Sequence, residues 1–147
     1  MKPFREAAVL IPLFRGDEDD LRLVIVRRGE GGVHGGQLAF PGGKCEPEDA
    51  SPMATALREA HEEIGLDPER VSVVAHLPFI ETHTTGFRIF PFLARVVPPP
   101  AWQRQEAEIA EVIEARIEDL ARPEAHQSEV VSFPTWPRPK QIGRAHV

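Results

Sequence analysis

Three glutamates lie close together near the middle of the chain, at Glu59, Glu62 and Glu63. Crowded carboxylates repel one another unless a cation lies among them. Mg²⁺ takes oxygen ligands, keeps several of its waters and is commonly completed by substrate phosphates. The cluster therefore predicts a site for divalent cations beside a phosphate-bearing substrate. The alternative is an acidic helix face that only meets solvent, which is the commoner origin of such a run of charge.

The glutamates belong to a segment with helix signals at both ends. Ser51 followed by Pro52 is typical of a helix start and Gly65 of a helix stop, so we predict a helix over residues 52–64. At about 100° per residue, Glu63 lies about 40° round the helix from Glu59, and Glu62 lies about 60° in the opposite direction. The three carboxylates should therefore share a face, distinct from the apolar face that packs on a sheet. The apolar positions are Ala56, Leu57, Ala60 and Ile64.

Short apolar runs on both sides of this helix are typical of β-strands. The predicted strands are residues 7–14, 21–26, 37–40, 71–75 and 87–97. Residues 109–113 fit either a strand or a helix, and a glycine-rich loop over residues 29–36 precedes the third strand. Strands around one long helix indicate an α+β or α/β fold with a mixed sheet. The aromatic residues expected in its core are Phe40, Phe79, Phe87 and Phe90.

Composition limits the class of protein. The 147 residues fit one domain, residues 1–147, and the formal net charge of −6 argues against binding to nucleic acid. There is no apolar run of roughly 18 to 20 residues to cross a membrane, and the N-terminus does not resemble a signal peptide. The single Cys45 fits a reducing compartment, so we expect a cytoplasmic protein.

The helix and the residues before it resemble the Nudix box. The matching residues are Gly42-Gly43, Asp49 and the run Arg58-Glu59-Ala60-His61-Glu62-Glu63-Ile64-Gly65-Leu66. Asp49 stands where the box usually has Glu, and one residue more than usual separates it from Arg58. Three further segments are similar to the coenzyme A diphosphatase branch of the Nudix family. These are residues 34–43 (HGGQLAFPGG), 84–91 (TTGFRIFP) and 108–112 (EIAEV).

The resemblance implies a fold and a set of metal ligands. The fold is α+β, an α/β/α sandwich in which a Nudix-type mixed β-sheet is flanked by helices. Glu59, Glu62 and Glu63 would hold Mg²⁺ or Mn²⁺ together with the carbonyl oxygen of Gly43. Arg58 would orient Glu59 through a charge-assisted pair rather than contact the substrate. The resemblance also suggests that a closing helix after residue 147 is missing.

The general base is open between two parts of the chain. Family members take it from the Nudix helix or from a later loop, so Glu59 is our first candidate and Glu108 or Glu111 the second. Four other residues are candidates for binding the anionic substrate. The guanidinium groups of Arg27, Arg28 and Arg88 offer planar forks for phosphate, and His34 lies in the glycine-rich loop.

The expected reaction is the hydrolysis of a diphosphate bond in a small nucleotide-derived substrate. The branch resemblance favours coenzyme A or acyl-CoA, giving 4′-phosphopantetheine or its acyl form and adenosine 3′,5′-bisphosphate. Two alternatives remain open: a hydrolase of ADP-ribose or another nucleoside diphosphate derivative, and a binding module that keeps the fold without turnover. No membrane partner is expected, and the sequence leaves open whether the protein forms a homodimer.

Overall fold

Residues 3–29 and 36–120 are described by the structure, which is a computed structural model. The strands in these residues are β1 (Arg5–Arg15), β2 (Leu21–Arg28), β3 (Leu38–Ala39), β4 (Gly42–Lys44), β5 (Val71–His76), β6 (Ile80–Thr82), β7 (Phe87–Val96) and β8 (Ile109–Arg116). The helices are α1 (Pro52–Ile64) and the single-turn α2 (Ile117–Leu120), with a 3-10 turn at Pro68–Arg70. The helix prediction is confirmed over its whole length, and all five predicted strands are present.

The strands form one mixed sheet. Its continuous path is β3-β2-β1-β7-β5, and β8 pairs with β2, β4 with β1 and β6 with β7. β1 and β7 run parallel, from Arg5 opposite Phe87 to Leu13 opposite Arg95, whereas the other paired strands are antiparallel. The expectation of a mixed sheet in an α+β fold is therefore confirmed.

The sheet opens between β1 and β2. These strands pair directly only where Leu13–Arg15 meet Leu21–Leu23, and beyond that point β4 pairs with β1 while β3 pairs with β2. At this end of the sheet Ala8 lies opposite Gly43, and Arg28 lies opposite Ile109. The opening places Gly42 and Gly43 between the two long strands, on the side where α1 packs.

A hydrophobic core lies on each face of the sheet. On one face α1 buries Ala56, Ala60 and Ile64 against a cluster that includes Leu10 and Phe92. The other face carries a second cluster, which includes Val9, Ile25, Phe40, Phe87 and Ile89. Within residues 3–29 and 36–120, neither helix has the length and apolar character that a membrane span requires.

Two of the expectations from sequence are settled or corrected here. Residues 109–113, left open between helix and strand, form part of β8 because their backbone pairs with β2. Phe79 was expected in the core and is 52% exposed. It lies in the connection between β5 and β6, where its ring contacts both the Phe90 ring and the guanidinium of Arg88. Phe40 and Phe87 are buried as expected, and Phe90 is half-buried against the core of the α1 face.

Candidate metal and phosphate site

Helix α1 is fixed at both ends by its own sequence. The Ser51 hydroxyl accepts a hydrogen bond from the Ala54 backbone N–H at 3.1 Å, which satisfies one of the free donors of the first turn. Gly65 adopts the left-handed conformation, with φ of 74°, and its N–H donates to the carbonyl of His61. The last two turns of the helix are therefore held in place, and these turns carry Glu59, Glu62 and Glu63.

Two glycines bring β4 into direct contact with α1. The Gly42 N–H donates to a carboxylate oxygen of Glu63 at 3.3 Å. A Cβ atom on Gly43 would lie only 2.6 Å from Oε2 of Glu59, and one on Gly42 would overlap the carbonyl oxygen of Ala8. A side chain at Gly42 would clash with the backbone of β1, and one at Gly43 would displace the Glu59 carboxylate. The glycines therefore allow the backbone of β4 to approach the carboxylates.

Glu63 is the most buried of the three acids, with 1% of its surface exposed. Burial raises the pKa of Glu63 to about 8, because a charged carboxylate loses its hydration there; the nearby Arg28 cation lowers this pKa, and repulsion by Glu59 raises it further. Burial also raises the pKa of Glu59, and the two side chains share a hydrogen bond. A pair of carboxyl groups held together out of water suits a divalent cation, which would favour the ionised form of both.

Arg58 is held in position by Asp49. Its Nε and Nη2 atoms donate to the two carboxylate oxygens of Asp49 at 2.9 and 3.0 Å, and its Nη1 lies 3.3 Å from both Glu59 and Glu62. Asp49 also accepts from the buried hydroxyl of Thr55 at 2.7 Å. The Arg58 guanidinium and the other donors hold the pKa of Asp49 well below its usual range. The expected structural role of Arg58 agrees with this geometry.

The importance of Asp49 and Thr55 was missed in the sequence. Asp49 departs from the usual Nudix box in both residue type and spacing, which left its role unassigned. The structure shows that its shorter side chain still reaches Arg58 in a bidentate pair. The signal available in the sequence was Asp49 itself, an acidic residue within one position of the place where the Nudix box has an acid.

The three glutamates differ widely in exposure, although their contacts with one another and with Arg58 keep them together. Glu63 points inward, Glu62 has a side chain that is 52% exposed, and Glu59 lies between them. Burial of Glu63 is tolerated because the Gly42 N–H and the Glu59 carboxyl group provide hydrogen-bond partners. Among the described residues, no three His, Cys, Asp or Glu side chains surround a common point as they stand. Arg58 occupies the space between Glu59 and Glu62, where it compensates their charge.

The segment before β8 closes the site from the other side. The backbone N–H of Gln105 donates to the carbonyl of Glu63 at 2.8 Å, and the N–H of Gly29 donates to the carbonyl of Glu108 at 2.6 Å. The charge of Glu108 acts on Glu59 and contributes to raising its pKa, although less than burial does. Glu111 instead forms an ion pair with Arg27 at 3.0 Å. Of the two later acids, Glu108 is therefore the one that faces the cluster.

The structure separates the arginines that were candidates for phosphate binding. Arg28 lies close enough to Glu63 to affect its titration, and its Nη1 atom is buried without a hydrogen-bond partner in the described part of the chain. Arg27 is paired with Glu111, and Arg88 is paired with Glu81 at 2.8 Å on the neighbouring strand. Arg28 is thus the arginine that the fold brings to the glutamates. His34 lies outside the described residues.

Comparison with known proteins is consistent with this arrangement. The family model described as the NUDIX domain matches residues 4–135. The chain is 41% identical over 118 residues to the uncharacterized Nudix hydrolase NudL of Enterobacter sp. (strain 638), covering 80% of this chain and 60% of that protein. It is 40% identical over 136 residues to the chloroplastic Nudix hydrolase 22 of Arabidopsis thaliana, covering 85% of this chain and 42% of that protein. The chain thus spans about half the length of these relatives.

Solved structures share the fold at low sequence identity. A Nudix hydrolase from M. smegmatis, RenU, has a TM-score of 0.68 at 20% identity, covering 86% of this chain and 81% of that one. The C. elegans Ap4A hydrolase has a TM-score of 0.66 at 19% identity, with 78% and 82% covered. The NUDIX domain of Shewanella oneidensis NrtR, solved with ADP ribose, has a TM-score of 0.65 at 19% identity, with 82% and 77% covered. The family model, the close relatives and the glutamate helix against its two glycines agree: this chain belongs to the Nudix family.

Proposed function

We propose that this chain hydrolyses the diphosphate bond of coenzyme A or its acyl derivatives. The products would be 4′-phosphopantetheine, carrying any acyl group, and adenosine 3′,5′-bisphosphate. The observation that carries the proposal is the contact between β4 and α1, where Gly42 and Gly43 meet the carboxyl groups of Glu63 and Glu59. An oxygen-rich cluster of this kind is what diphosphate hydrolysis requires, because both the phosphate oxygens and the attacking water are electron-rich.

The residues at the site fit Mg²⁺ or Mn²⁺. Glu59, Glu62, Glu63 and the carbonyl of Gly43 offer only oxygen donors, which these ions prefer. When bound, a divalent cation neutralises the diphosphate and makes water a better nucleophile. With a cation bound, Glu63 would contribute a buried charge that water cannot screen, and Arg58 would orient Glu59 and Glu62 through its hydrogen bonds to both.

Proton removal and phosphate binding are assigned to different sides of the site. Glu59 is the first candidate for the general base, because it lies between the other two acids and burial raises its pKa, which makes it a stronger base. Glu108 is the second, since its charge acts on Glu59, and Glu111 is set aside because it pairs with Arg27. Arg28 would donate to a substrate phosphate through its buried, unpartnered Nη1 atom.

The segments of sequence that surround the glutamates support coenzyme A as the substrate. The segment HGGQLAFPGG, which resembles the coenzyme A diphosphatase branch, contains Gly42 and Gly43, and the segment EIAEV begins with Glu108. Another nucleoside diphosphate derivative is the second candidate. It is favoured by the structural similarity to the NrtR domain that binds ADP ribose and to an Ap4A hydrolase. A binding module without turnover is disfavoured because all three glutamates and Arg58 are present.

A substrate panel tests the proposal. Coenzyme A, acetyl-CoA, ADP-ribose and Ap4A are incubated with the protein and Mg²⁺ or Mn²⁺, and the products are identified by mass. We expect 4′-phosphopantetheine and adenosine 3′,5′-bisphosphate from coenzyme A, and a loss of turnover in Glu63→Gln. Glu69→Gln, which changes an exposed acid on the 3-10 turn, is the matched control. Equal turnover of all four compounds, or none of coenzyme A, would contradict the substrate assignment.

A further inference from the structure

Two buried polar atoms at the open end of the sheet have no hydrogen-bond partner in residues 3–29 and 36–120. They are Nη1 of Arg28, at the end of β2, and the side-chain oxygen Oε1 of Gln37, just before β3. Arg28 is already assigned to a substrate phosphate, whereas Gln37 has no role so far. A buried acceptor without a partner destabilises a fold, so we looked for a ligand group that would pair with it.

Backbone hydrogen bonds hold Arg28 and Gln37 side by side. The Arg28 N–H donates to the Gln37 carbonyl at 2.8 Å, and the Gly36 N–H donates to the Arg28 carbonyl at 2.9 Å. On the other side of β2, the Gly29 N–H donates to the carbonyl of Glu108. Residues that face one another across antiparallel strands have Cβ atoms roughly 4.5–5.5 Å apart. The two unpartnered atoms therefore belong to neighbouring side chains on a backbone that is fixed on both sides.

Both side chains lie on the face of the sheet that carries α1. Val26 pairs with Ala39, and both belong to the core cluster on that face. Side chains alternate between faces along a strand, so Arg28 and Gln37, two positions further, return to the α1 side. Arg28 also lies close enough to Glu63 to lower its pKa, which agrees with this placement. Gln37 is therefore the neighbour of the arginine that faces the glutamates.

The two atoms require partners of opposite kinds. A guanidinium only donates hydrogen bonds, and the oxygen of a side-chain amide only accepts them. The oxygens of an ionised diphosphate accept hydrogen bonds and have no proton to donate. The diphosphate can therefore pair with Arg28 and cannot pair with Oε1 of Gln37. The partner of Gln37 must carry an O–H or N–H group close to the phosphate that Arg28 binds.

Coenzyme A has one hydroxyl group in a suitable place. It is the pantoate hydroxyl, on the third carbon from the ester oxygen of the diphosphate. A ribose with a free 3′-hydroxyl, as in ADP-ribose, presents a hydroxyl at the same spacing. The ribose of coenzyme A does not, because its 3′-oxygen carries a phosphate. The same chemistry of recognition therefore has two sources, pantoate and an unmodified ribose.

We propose that Gln37 is a further substrate-binding residue, whose side-chain oxygen accepts a hydrogen bond from a hydroxyl on the third carbon from the diphosphate. Arg28 donates to the diphosphate itself. The inference rests on the proposed function, and with coenzyme A as the substrate the hydroxyl is that of pantoate. Both side chains are half-buried as a whole, so they lie at the border of the site, where a ligand reaches them.

The test compares coenzyme A with an analogue in which the pantoate hydroxyl is replaced by hydrogen. We expect the wild type to lose about threefold to tenfold in kcat/KM on the analogue, as for one hydrogen bond between uncharged groups. Gln37→Leu should lose the same factor on coenzyme A and nothing more on the analogue. ADP-ribose and an analogue without its ribose 3′-hydroxyls form the second arm. Gln103→Leu, the same change at an exposed glutamine before β8, is the matched control.

Urea unfolding separates ligand binding from a structural role of Gln37. Replacing a buried, unpartnered acceptor with an apolar side chain of similar size removes a cost of desolvation. The urea midpoint of Gln37→Leu should therefore be at least as high as that of the wild type. A lower midpoint would show that Gln37 forms a stabilising hydrogen bond in the free protein, and the proposal would be overturned.

Each kinetic outcome decides a separate point. If the wild type cleaves coenzyme A and its analogue equally well, the role of Gln37 is overturned while the proposed function stands. If Gln37→Leu lowers kcat by one factor on every compound with KM unchanged, Gln37 orients the attacking water and does not recognise a hydroxyl. If only the ADP-ribose pair is cleaved and shows the loss, recognition by Gln37 stands and the assignment of coenzyme A fails. If no compound is cleaved, both proposals fail.

Discussion

Glu63 has the least favourable surroundings for a charge among the site residues. It is buried, it lies against Glu59, and the neighbouring cation, Arg28, only partly offsets the loss of hydration. A divalent cation would compensate this cost, and without one the native state holds a proton there near neutral pH. Such a group cannot be recognised from helix periodicity alone. Its burial depends on the contact between α1 and Gly42, which is made by residues 21 positions apart.

The first prediction concerns the pH dependence of stability without metal. The pKa of Glu63 is raised from 4.5 to about 8 in the folded state, so the folded protein binds more protons than the unfolded chain between these values. The free energy of unfolding should therefore fall as pH rises through this window. Glu63→Gln should reduce that fall by on the order of 3 kcal/mol. Urea unfolding in the presence of EDTA, at pH 5.5 and at pH 8, measures the free energy of unfolding of both proteins.

Glu62→Gln is the control, because that side chain is half-exposed. Its unfolding free energy should follow the pH dependence of the wild type. The same pH dependence in Glu63→Gln and in the wild type would show that Glu63 is charged throughout this pH range.

Asp49 acts on the site through Arg58, which gives the second prediction. In Asp49→Asn the bidentate pair is lost, and Arg58 no longer holds Glu59 and Glu62 in register. We expect kcat to fall by about 10-fold to 100-fold, as for other residues that orient metal ligands, while KM changes little. Steady-state kinetics with Mg²⁺ measures both values. Glu48→Gln, an exposed acid in the same loop, should behave like the wild type. A raised KM with unchanged kcat would instead assign Asp49 to substrate binding.

At the scale of the elements, local signals were sufficient for α1 and insufficient for the shortest strands. The helix was predicted to its end residues because Ser51, Pro52 and Gly65 act within one turn. β4 and β6 have three residues each, and their strand conformation comes from pairing with β1 and β7. The segment at residues 109–113 contains Ala and Glu among its Ile and Val residues, so pairing with β2 decides its conformation. The sequence therefore predicts α1 correctly and does not show which parts of the chain face it.

The third prediction tests the approach of β4 to α1. In Gly43→Ala the new Cβ would lie 2.6 Å from Oε2 of Glu59, so the carboxylate must move. We expect kcat to fall by about 100-fold, because a shift of about 1 Å at reacting groups has this effect. The cost in unfolding free energy should stay within about 1–3 kcal/mol, as for other small-to-large changes. Kinetics and urea unfolding measure the two effects.

Lys44→Ala is the matched change at the next residue, which is exposed, and it should leave kcat close to the wild-type value. Wild-type turnover in Gly43→Ala would mean that the contact between Gly43 and Glu59 has no part in the reaction.

At the scale of the whole molecule, the site joins parts of the chain that are distant in sequence. Arg28 ends β2, Gly43 lies in β4, Glu59 and Glu63 come from α1, and Glu108 precedes β8. Family membership followed from the sequence because the box is a continuous run in α1. The sequence did not show which of Glu108 and Glu111 faces the glutamates, because this depends on the bulge in the pairing of β2 with β8, between Arg27 and Arg28. A ligand at this junction should therefore stabilise the fold as a whole.

The fourth prediction is that divalent cations raise the free energy of unfolding even without substrate. A cation that binds only the folded state at 100 times its Kd adds about 2.7 kcal/mol, which thermal unfolding detects as a higher Tm. Mg²⁺ or Mn²⁺ should have this effect relative to EDTA, and the double variant Glu59→Gln with Glu63→Gln should lose it. Because the formal net charge is −6, any cation screens part of the repulsion within the protein. Na⁺ at matched ionic strength is therefore the control for this general effect. Glu69→Gln should keep the gain in Tm. If the double variant gains as much as the wild type, the cations bind elsewhere, and the assignment of Glu59 and Glu63 as metal ligands is wrong.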